Sequence, residues 1–432
     1  MKNWSWADVF TCLFLVLILL VAPAIMVGVG REYRQRATAM ENGLPRMDIV
    51  LNGVTLEDIN NTMKAIKYSG NKVVVTRENG THEYTGVEIS GRGNSSWASE
   101  KKPYNLKFAH RVDLFGGEKA KSWVLLANAY DSTYLRNDVA LHLAGMLDDK
   151  YAAKGNFVEL YVDDEYTGLY YSAPKITINK GSVNLKDSLG VLVELDNLYG
   201  TGSSCYYSYM GNCLTVKDVV RKDNINQAME EFLIDFDKLE MAAEAGNYAV
   251  VEELIDVESF AKYYLVSEFT SNPDAYSTSW FMYKDGTGDK IHAGPVWDFD
   301  FALANRNWGG SGLFSPEDSR TREKEVFGGG YYDDNNEYIE VAQDATISKL
   351  MYLLMKMPEF RDVVEDVFAK RMSGRADELV QWAERQNKLI EKAAKKDADK
   401  WGITDIDSDV QKLIEWIKRR YTFFEKEYQA VK

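Results

Sequence analysis

Apolar and polar residues alternate in short runs along the first half of the chain: Met47 to Leu51, Lys72 to Thr76 and Tyr84 to Ile89, with Gly and Asn between them. Alternation with a period of two predicts strands in a sheet that has one solvated face. Ser122 to Leu126 and Asn156 to Val162 continue the strand pattern. Between them Leu135, Val139, Leu143 and Leu147 recur at helical spacing. From Asn224 to Leu254 the period becomes helical, and Val257 to Thr270 predicts a second helix with Phe260, Tyr263, Tyr264 and Phe269 on its apolar face. Leu350, Leu353, Leu354 and Met357 line one later stripe; Leu413, Trp416, Ile417, Tyr421 and Phe424 line another. A polar, glycine-rich stretch from Asn307 to Glu337 predicts a long surface loop, and no internal repeat is present. The layout is therefore α+β, strand-rich over 47–222 and helix-rich over 223–432.

The first thirty residues break this pattern. Val9 to Gly30 carries no charge, and about 20 apolar residues suffice to cross a bilayer as a helix. Two readings fit residues 1–30. One is a retained membrane anchor, favoured because the apolar run continues through Ile25, Met26 and Val27. The other is a signal peptide cut after the small-x-small sequence Ala22-Pro23-Ala24. Residues 31–46 read as a polar linker. Arg31, Arg34 and Arg36 after the run favour a cytoplasmic C-terminal part by the positive-inside tendency. Cys205 and Cys213, which flank a short Gly211-Asn212 turn, argue the other way, because a disulfide between them needs an oxidising compartment. Two unpaired thiols remain the alternative. The balance favours a membrane-anchored protein with its main domain outside the cytoplasm.

Composition narrows the function. Of 432 residues, 51 are basic and 66 acidic, giving a net charge of −15. Such a surface repels phosphate backbones, so no nucleic-acid partner is expected; it attracts cations and basic polypeptides. The four histidines are scattered and no H-E-x-x-H occurs, which argues against the common zinc hydrolases.

Three segments carry candidate chemistry. In Ser90-Gly91-Arg92-Gly93-Asn94-Ser95-Ser96-Trp97, small residues flank an arginine at the end of a predicted strand, a turn whose backbone N–H groups can approach phosphate oxygens. Lys102 and Lys107 follow within reach of the same anion. The bland reading is a β-turn with solvated lysines, and no G-x-x-x-x-G-K-[ST] phosphate loop occurs. Further on, Asn272-Pro273-Asp274 precedes Ser279 to Tyr283, the turn Asp285-Gly286-Thr287-Gly288-Asp289, Lys290 to Val296, and then Trp297-Asp298-Phe299-Asp300. A β-hairpin over this stretch brings its free ends together, so Asp274 meets Asp298 and Asp300. Clustered carboxylates repel unless a cation sits between them, and hard oxygen donors suit Mg²⁺ or Mn²⁺. That arrangement parallels phosphoryl transfer, in which one Asp orients the acceptor hydroxyl and another holds the metal. Structurally, Asp274 reads equally as a turn residue and Trp297 to Phe301 as the end of a core strand. The third segment, Leu126 to Asn137, places polar residues where a strand hands over to a helix; there Arg136 is expected to pair locally with Asp131 or Asp138.

Taken together these segments resemble the spore-coat protein H (CotH) kinase family. The resemblance is carried by Gly91 to Trp97 with Lys101 to Lys107, by Leu126-Ala127-Asn128 to Arg136-Asn137, by Tyr166 to Tyr170, and by Gly294-Pro295-Val296-Trp297-Asp298-Phe299-Asp300. It extends from about Met47 into the C-terminal helices, as one domain over 47–432. The resemblance implies an atypical protein-kinase-like fold that binds ATP with Mg²⁺ and phosphorylates Ser or Thr of a protein, with a Lys/Arg-rich substrate suiting the acidic surface. By motif position Asp274 takes the catalytic role and Asp298 binds metal, with Asp300 as a second ligand. Arg92, Lys107 and Lys102 are candidate phosphate contacts, Asn94 shares their turn, and Glu194 is expected to pair with a lysine or meet the nucleotide. Ser279 stands where some members have Asn, and Ala173-Pro174 where others carry Glu. These departures leave a catalytically impaired surface protein, acting in adhesion or envelope assembly, as the alternative.

Overall fold

The computed structural model describes residues 43–117, 119–200, 204–305, 316–317, 330–332, 338–340 and 347–429. The apolar segment Val9–Gly30 and the linker lie outside them. Among the described residues no helix is long and apolar enough to cross a membrane.

Seven strands close into a barrel: β1 (Arg46–Val50), β2 (Tyr68–Arg77), β3 (Gly80–Gly91), β4 (Tyr104–Val112), β5 (Ala120–Leu126), β6 (Asn156–Val162) and β7 (Glu165–Pro174). The order around the barrel is β1-β2-β3-β4-β5-β7-β6, antiparallel throughout except where β1 closes in parallel on β6. Inward positions alternate along each strand, so Ile49, Val73, Val75, Ile89, Leu106 and Leu160 fill the barrel. Strand β5 buries both faces. Its Trp123 and Leu125 point into the barrel while Val124 and Leu126 join the helical core, which is why residues 123–126 are apolar without a break.

Between β5 and β6 runs helix α1 (Arg136–Met146), one residue inside each end of the predicted span. A second sheet follows, built from β8 (Gly190–Leu195), β9 (Tyr206–Tyr207), β10 (Cys213–Val219), β11 (Trp280–Asp285) and β12 (His292–Ala293) in the order β12-β11-β8-β10-β9. This sheet straddles residue 222, because the β11–β12 hairpin returns from the helical half to pair with β8. The predicted helix over 224–254 is two helices, α2 (Ile225–Glu244) and α3 (Tyr248–Leu254). Gly246 adopts φ +68° between them and the Asn247 side chain caps α3, so local backbone chemistry overrides the continuous apolar stripe. Helix α4 (Val257–Phe269) leads into the Asp274 segment. The stretch predicted as a loop over 307–337 falls mostly outside the described residues, although Gly330–Tyr332 within it pairs with Tyr338–Glu340 as a short hairpin. Four helices complete the chain: α5 (Leu350–Lys356), α6 (Pro358–Arg371), α7 (Ala376–Trp401) and α8 (Ile406–Gln429).

The two halves are pinned by a buried ion pair. Lys101 Nζ lies 2.7 Å from Asp397 Oδ2 and donates to the Leu169 carbonyl, while Tyr134 Oη and the Leu169 amide donate to the same aspartate. The barrel is thus fastened to α7 by groups that have no access to water.

Candidate active site

The β11–β12 hairpin does what its sequence predicts: its two flanks converge. Ser279 Oγ donates to Asp298 Oδ2 at 3.1 Å, and Asn272 Nδ2 donates to the Asp298 carbonyl at 2.9 Å. Ser271, Tyr276, Ser279 and Asp298 all hold positive φ, between 45° and 69°, a conformation non-glycine residues rarely adopt. Strained backbone gathered around one cluster of carboxylates is a recurrent mark of a functional site.

Helix α1 supplies the back wall. Asn137 Nδ2 donates to Asp300 Oδ1 while its Oδ1 accepts from the Phe299 amide at 3.0 Å, so one side chain fixes the Trp297–Asp300 turn. Asn305 Nδ2 donates to the Asp300 and Tyr130 carbonyls, closing the loop from the other side. Arg136 pairs with buried Asp131 and donates to the Ala302 carbonyl at 3.0 Å; the local pairing expected from sequence is what forms.

Electrostatics mark Asp298 and Asp300 as unusual. Burial raises both carboxyls above the ordinary aspartate range. The neighbouring Asp298 charge adds to this at Asp300, which is pushed up to about 7 despite its bond from Asn137. Arg92 faces the pair. Burial lowers its guanidinium pKa, and the charges of Asp298 and Asp300 oppose that shift; the same guanidinium lies 5.8 Å from the centre of the Trp297 ring. Asp274 is tied to the cluster through Asn272, whose Oδ1 accepts from the Asp274 amide at 3.1 Å while its Nδ2 donates to the Asp298 carbonyl; the Tyr199 phenol is raised by burial and by the charges of Asp274, Asp298 and Asp196.

Strand β8 forms the opposite wall. Val191, Val193 and Leu195 point into the main core, so Glu194 and Asp196 beyond it take the polar face. Glu194 is ion-paired with Lys217 of β10, the first of the two roles open to it, yet burial still pushes it up to about 7. Asp196 accepts from Thr278 Oγ1 at 2.8 Å and from the Tyr199 amide at 3.0 Å.

The basic segment behaves differently. Arg92 is at the site, but its predicted companions are not gathered there. Asn94 accepts from Lys64 through its side chain at the start of a short helical turn, Ser95–Ala98. Lys102 Nζ donates to the Trp97 carbonyl at 2.7 Å and lines a separate cavity with Tyr104, Tyr170 and Trp401. Lys107 lies exposed on the outer face of β4, in register with Glu88 and Ser122. The cations close enough to feel the Arg92 charge are instead Lys64 and Lys175, with Lys217 near both of them; none of the three was expected. They come from three separate stretches, so only the folded sheet reveals them.

A model described as CotH kinase protein matches residues 89–424. The chain belongs to the CotH kinase family. The match begins at the end of β3 and spans every group placed above except Lys64. No curated protein matches the chain. The family implies a nucleotide and a divalent cation. Among the described residues, no group of three or more His, Cys, Asp or Glu side chains is arranged to hold a metal alone. Asp298 and Asp300 nevertheless fit one. Each has an oxygen held by a neighbour, Ser279 or Asn137, which orients the carboxylate. Their mutual repulsion is what a hard cation would relieve, and Mg²⁺ habitually takes one or two protein carboxylates plus phosphates and waters. A cavity of about 1140 Å³ bounded by α1, α7 and the 148–155 loop lies behind this site rather than in it; its wall reaches the site only where Asp149 accepts from the Val296 amide at 3.3 Å.

Proposed function

We propose that this protein transfers the γ-phosphoryl group of ATP to Ser or Thr hydroxyls of a protein substrate. The observation that carries this reading is the Asp298–Asp300 turn held by Ser279 and Asn137, with Asp274 linked to it through Asn272 and the Arg92 guanidinium over the adjoining Trp297 ring. Asp298 and Asp300 would hold Mg²⁺ or Mn²⁺. That ion would neutralise phosphate oxygens and bring the transferable group into place. Arg92 steadies phosphate charge, and Lys217 and Lys64 extend the cationic wall. Asp274 accepts the acceptor hydroxyl proton as that oxygen bonds to phosphorus and the bond to the ADP oxygen breaks. Asn137 and Ser279 keep the two carboxylates oriented, and Ser279 meets Asp298 where some family members carry Asn.

The −15 charge favours a substrate rich in Lys and Arg. The Cys205–Cys213 disulfide and the apolar Val9–Gly30 segment support a membrane-anchored domain at the cell envelope, outside the cytoplasm. A thermal-shift titration with ATP and Mg²⁺, together and singly, tests the site. Both ligands should be needed to raise the midpoint, and Asp298→Ala should abolish the rise. An undiminished rise in that variant would refute the assignment. No rise at millimolar ATP would leave a scaffold role in adhesion or envelope assembly.

A further inference from the structure

The cavity behind the active site draws on both halves of the molecule. Asp138, Leu141, His142 and Gly145 line it from α1, at the three- and four-residue spacing of one helix face, and Glu378 and Trp382 line it from α7. Two loops, 148–155 and 180–186, complete the lining with β7. At about 1140 Å³ it lies at the large end of the range for small-molecule sites, roughly 300–1,000 Å³. His142 and Trp382 stack across the two helices, their ring centroids 3.9 Å apart and their planes 2° from parallel, so they form one flat aromatic wall. Within that wall His142 Nε2 is buried and has no hydrogen-bond partner among the described residues, an uncommon state for a buried nitrogen. Burial lowers the His142 pKa; a negative charge placed in the cavity would raise it again.

Five acidic and five basic side chains line the cavity, but they do not cancel one another. Every acid is held by a donor of the protein. Asp148 pairs with Arg371 at 2.6 Å, Glu378 with Arg375 at 2.7 Å, and Asp138 accepts from Trp382 Nε1 at 2.7 Å. Asp149 accepts from the Tyr151 and Val296 amides at 3.2 and 3.3 Å, and Asp285 from the Lys186 and Asp187 amides at 2.7 and 2.9 Å. Of the bases only Arg375 is ion-paired. Among the described residues no carboxylate lies within ion-pair distance of Lys150, Lys154, Lys180 or Lys186, and Lys150 rests instead 4.9 Å from the centre of the Tyr151 ring. In a chain of net charge −15, four unmatched ammonium groups around one cavity are a local reversal of sign. They come from two loops, so a ligand that satisfies both must carry more than one negative charge.

We propose that this cavity is a second ligand site, which takes a small multivalent anion, phosphate- or carboxylate-bearing, seated against the His142–Trp382 wall and held by Lys150, Lys154, Lys180 and Lys186. The inference does not depend on the reading of the active site, because Asp274, Asp298 and Asp300 do not line the cavity.

NMR titration of the whole protein with labelled histidines, without divalent metal, tests the site with tripolyphosphate and citrate in turn. The chain has only four histidines, and His142→Gln assigns the one in the cavity. At least one anion should shift the His142 ring signals saturably and raise the His142 pKa; which anion does so identifies the recognised group. Replacing the four lysines with Ala should weaken this binding roughly tenfold or more, the combined weight of several exposed charge contacts. Lys154→Gln/Lys180→Gln, one lysine from each loop, should give a smaller loss. His82, His110 and His292 do not line the cavity, so their unshifted signals report that each variant is folded. Failure of both anions to move His142 at millimolar concentration would overturn the site, as would an undiminished response in the lysine variants. An equal shift with sodium chloride at matched ionic strength would reduce the effect to screening and overturn it too.

Discussion

The acidic and basic halves of the site came from similar stretches of sequence and met different fates. Asp274, Asp298 and Asp300 are spread over 27 residues and converge; Arg92, Asn94, Lys102 and Lys107 span 16 and disperse. The difference lies in the element each set occupies. A hairpin returns its own ends to one place, so residues at its two flanks must meet. Arg92 and Asn94 lie just past the end of β3, Lys102 in the connection that follows and Lys107 on β4 itself, where alternate side chains face opposite sides and the chain advances about 3.3 Å per residue, so the four part company. Closeness along the chain predicted contact only where the backbone turned back on itself.

The acidic side should be where substitution is most severe. Asp274→Asn and Asp298→Ala are each expected to lower phosphoryl transfer by on the order of 10³-fold, measured with labelled ATP, with only Asp298→Ala also losing Mg²⁺-dependent nucleotide binding. Equal behaviour of the two variants would dissolve the distinction between catalytic and metal-binding aspartates. Next in size is a structural effect on the basic segment. Asp397→Ala leaves Lys101 buried without its counter-ion and should lower unfolding free energy by about 3–5 kcal/mol in denaturant titration.

Arg92→Ala should weaken ATP binding by roughly 10- to 100-fold by calorimetry, the range for a hydrogen bond to a charged group. Asp300 gives a pH signature. Its folded pKa, about 7, lies above the ordinary aspartate value, so its contribution to stability is complete below about pH 4 and is lost as pH rises through 7. Without ligands the midpoint of thermal unfolding should fall across that window, and Asp300→Asn should flatten the fall. Smallest of all, Lys107→Ala and Lys102→Ala should change transfer less than about threefold, because neither ammonium reaches the cluster. A large loss in Lys107→Ala would show that the site extends around the barrel.

Periodicity made most of the barrel legible, since β1, β2 and β3 alternate apolar with polar residues, while the apolar runs of β5 and β6 suit strands buried on both faces. Strand β8 reads as a plain apolar run. Its Glu194 stood out only because a charge interrupts that run, and nothing in the sequence pointed from Glu194 to Lys217. Their pairing depends on the β8–β10 register, a long-range property. Lys64, Lys175 and Tyr199 were invisible for the same reason: each sits in a connection whose path is set by sheets it does not belong to. Asn137 was visible as a polar residue on an apolar helix, but its role as the peg of the Asp300 turn needed both elements in place. The break at Gly246 was written in the sequence as Ala-Gly-Asn and was outweighed by the apolar stripe on either side.

The Lys101–Asp397 pair has a consequence for how the protein is made. Nearly three hundred residues separate its partners, and a ribosome adding about 5–20 residues per second needs on the order of half a minute to cover that distance. For most of that interval all the barrel strands exist while the carboxylate that neutralises Lys101 does not. A barrel closed early would trap an ammonium in an apolar wall, so the last turn of closure around Lys101 should wait for α7. Nascent chains arrested before residue 397 should accordingly remain protease-sensitive at β4 and β7, and become resistant together once Asp397 has emerged.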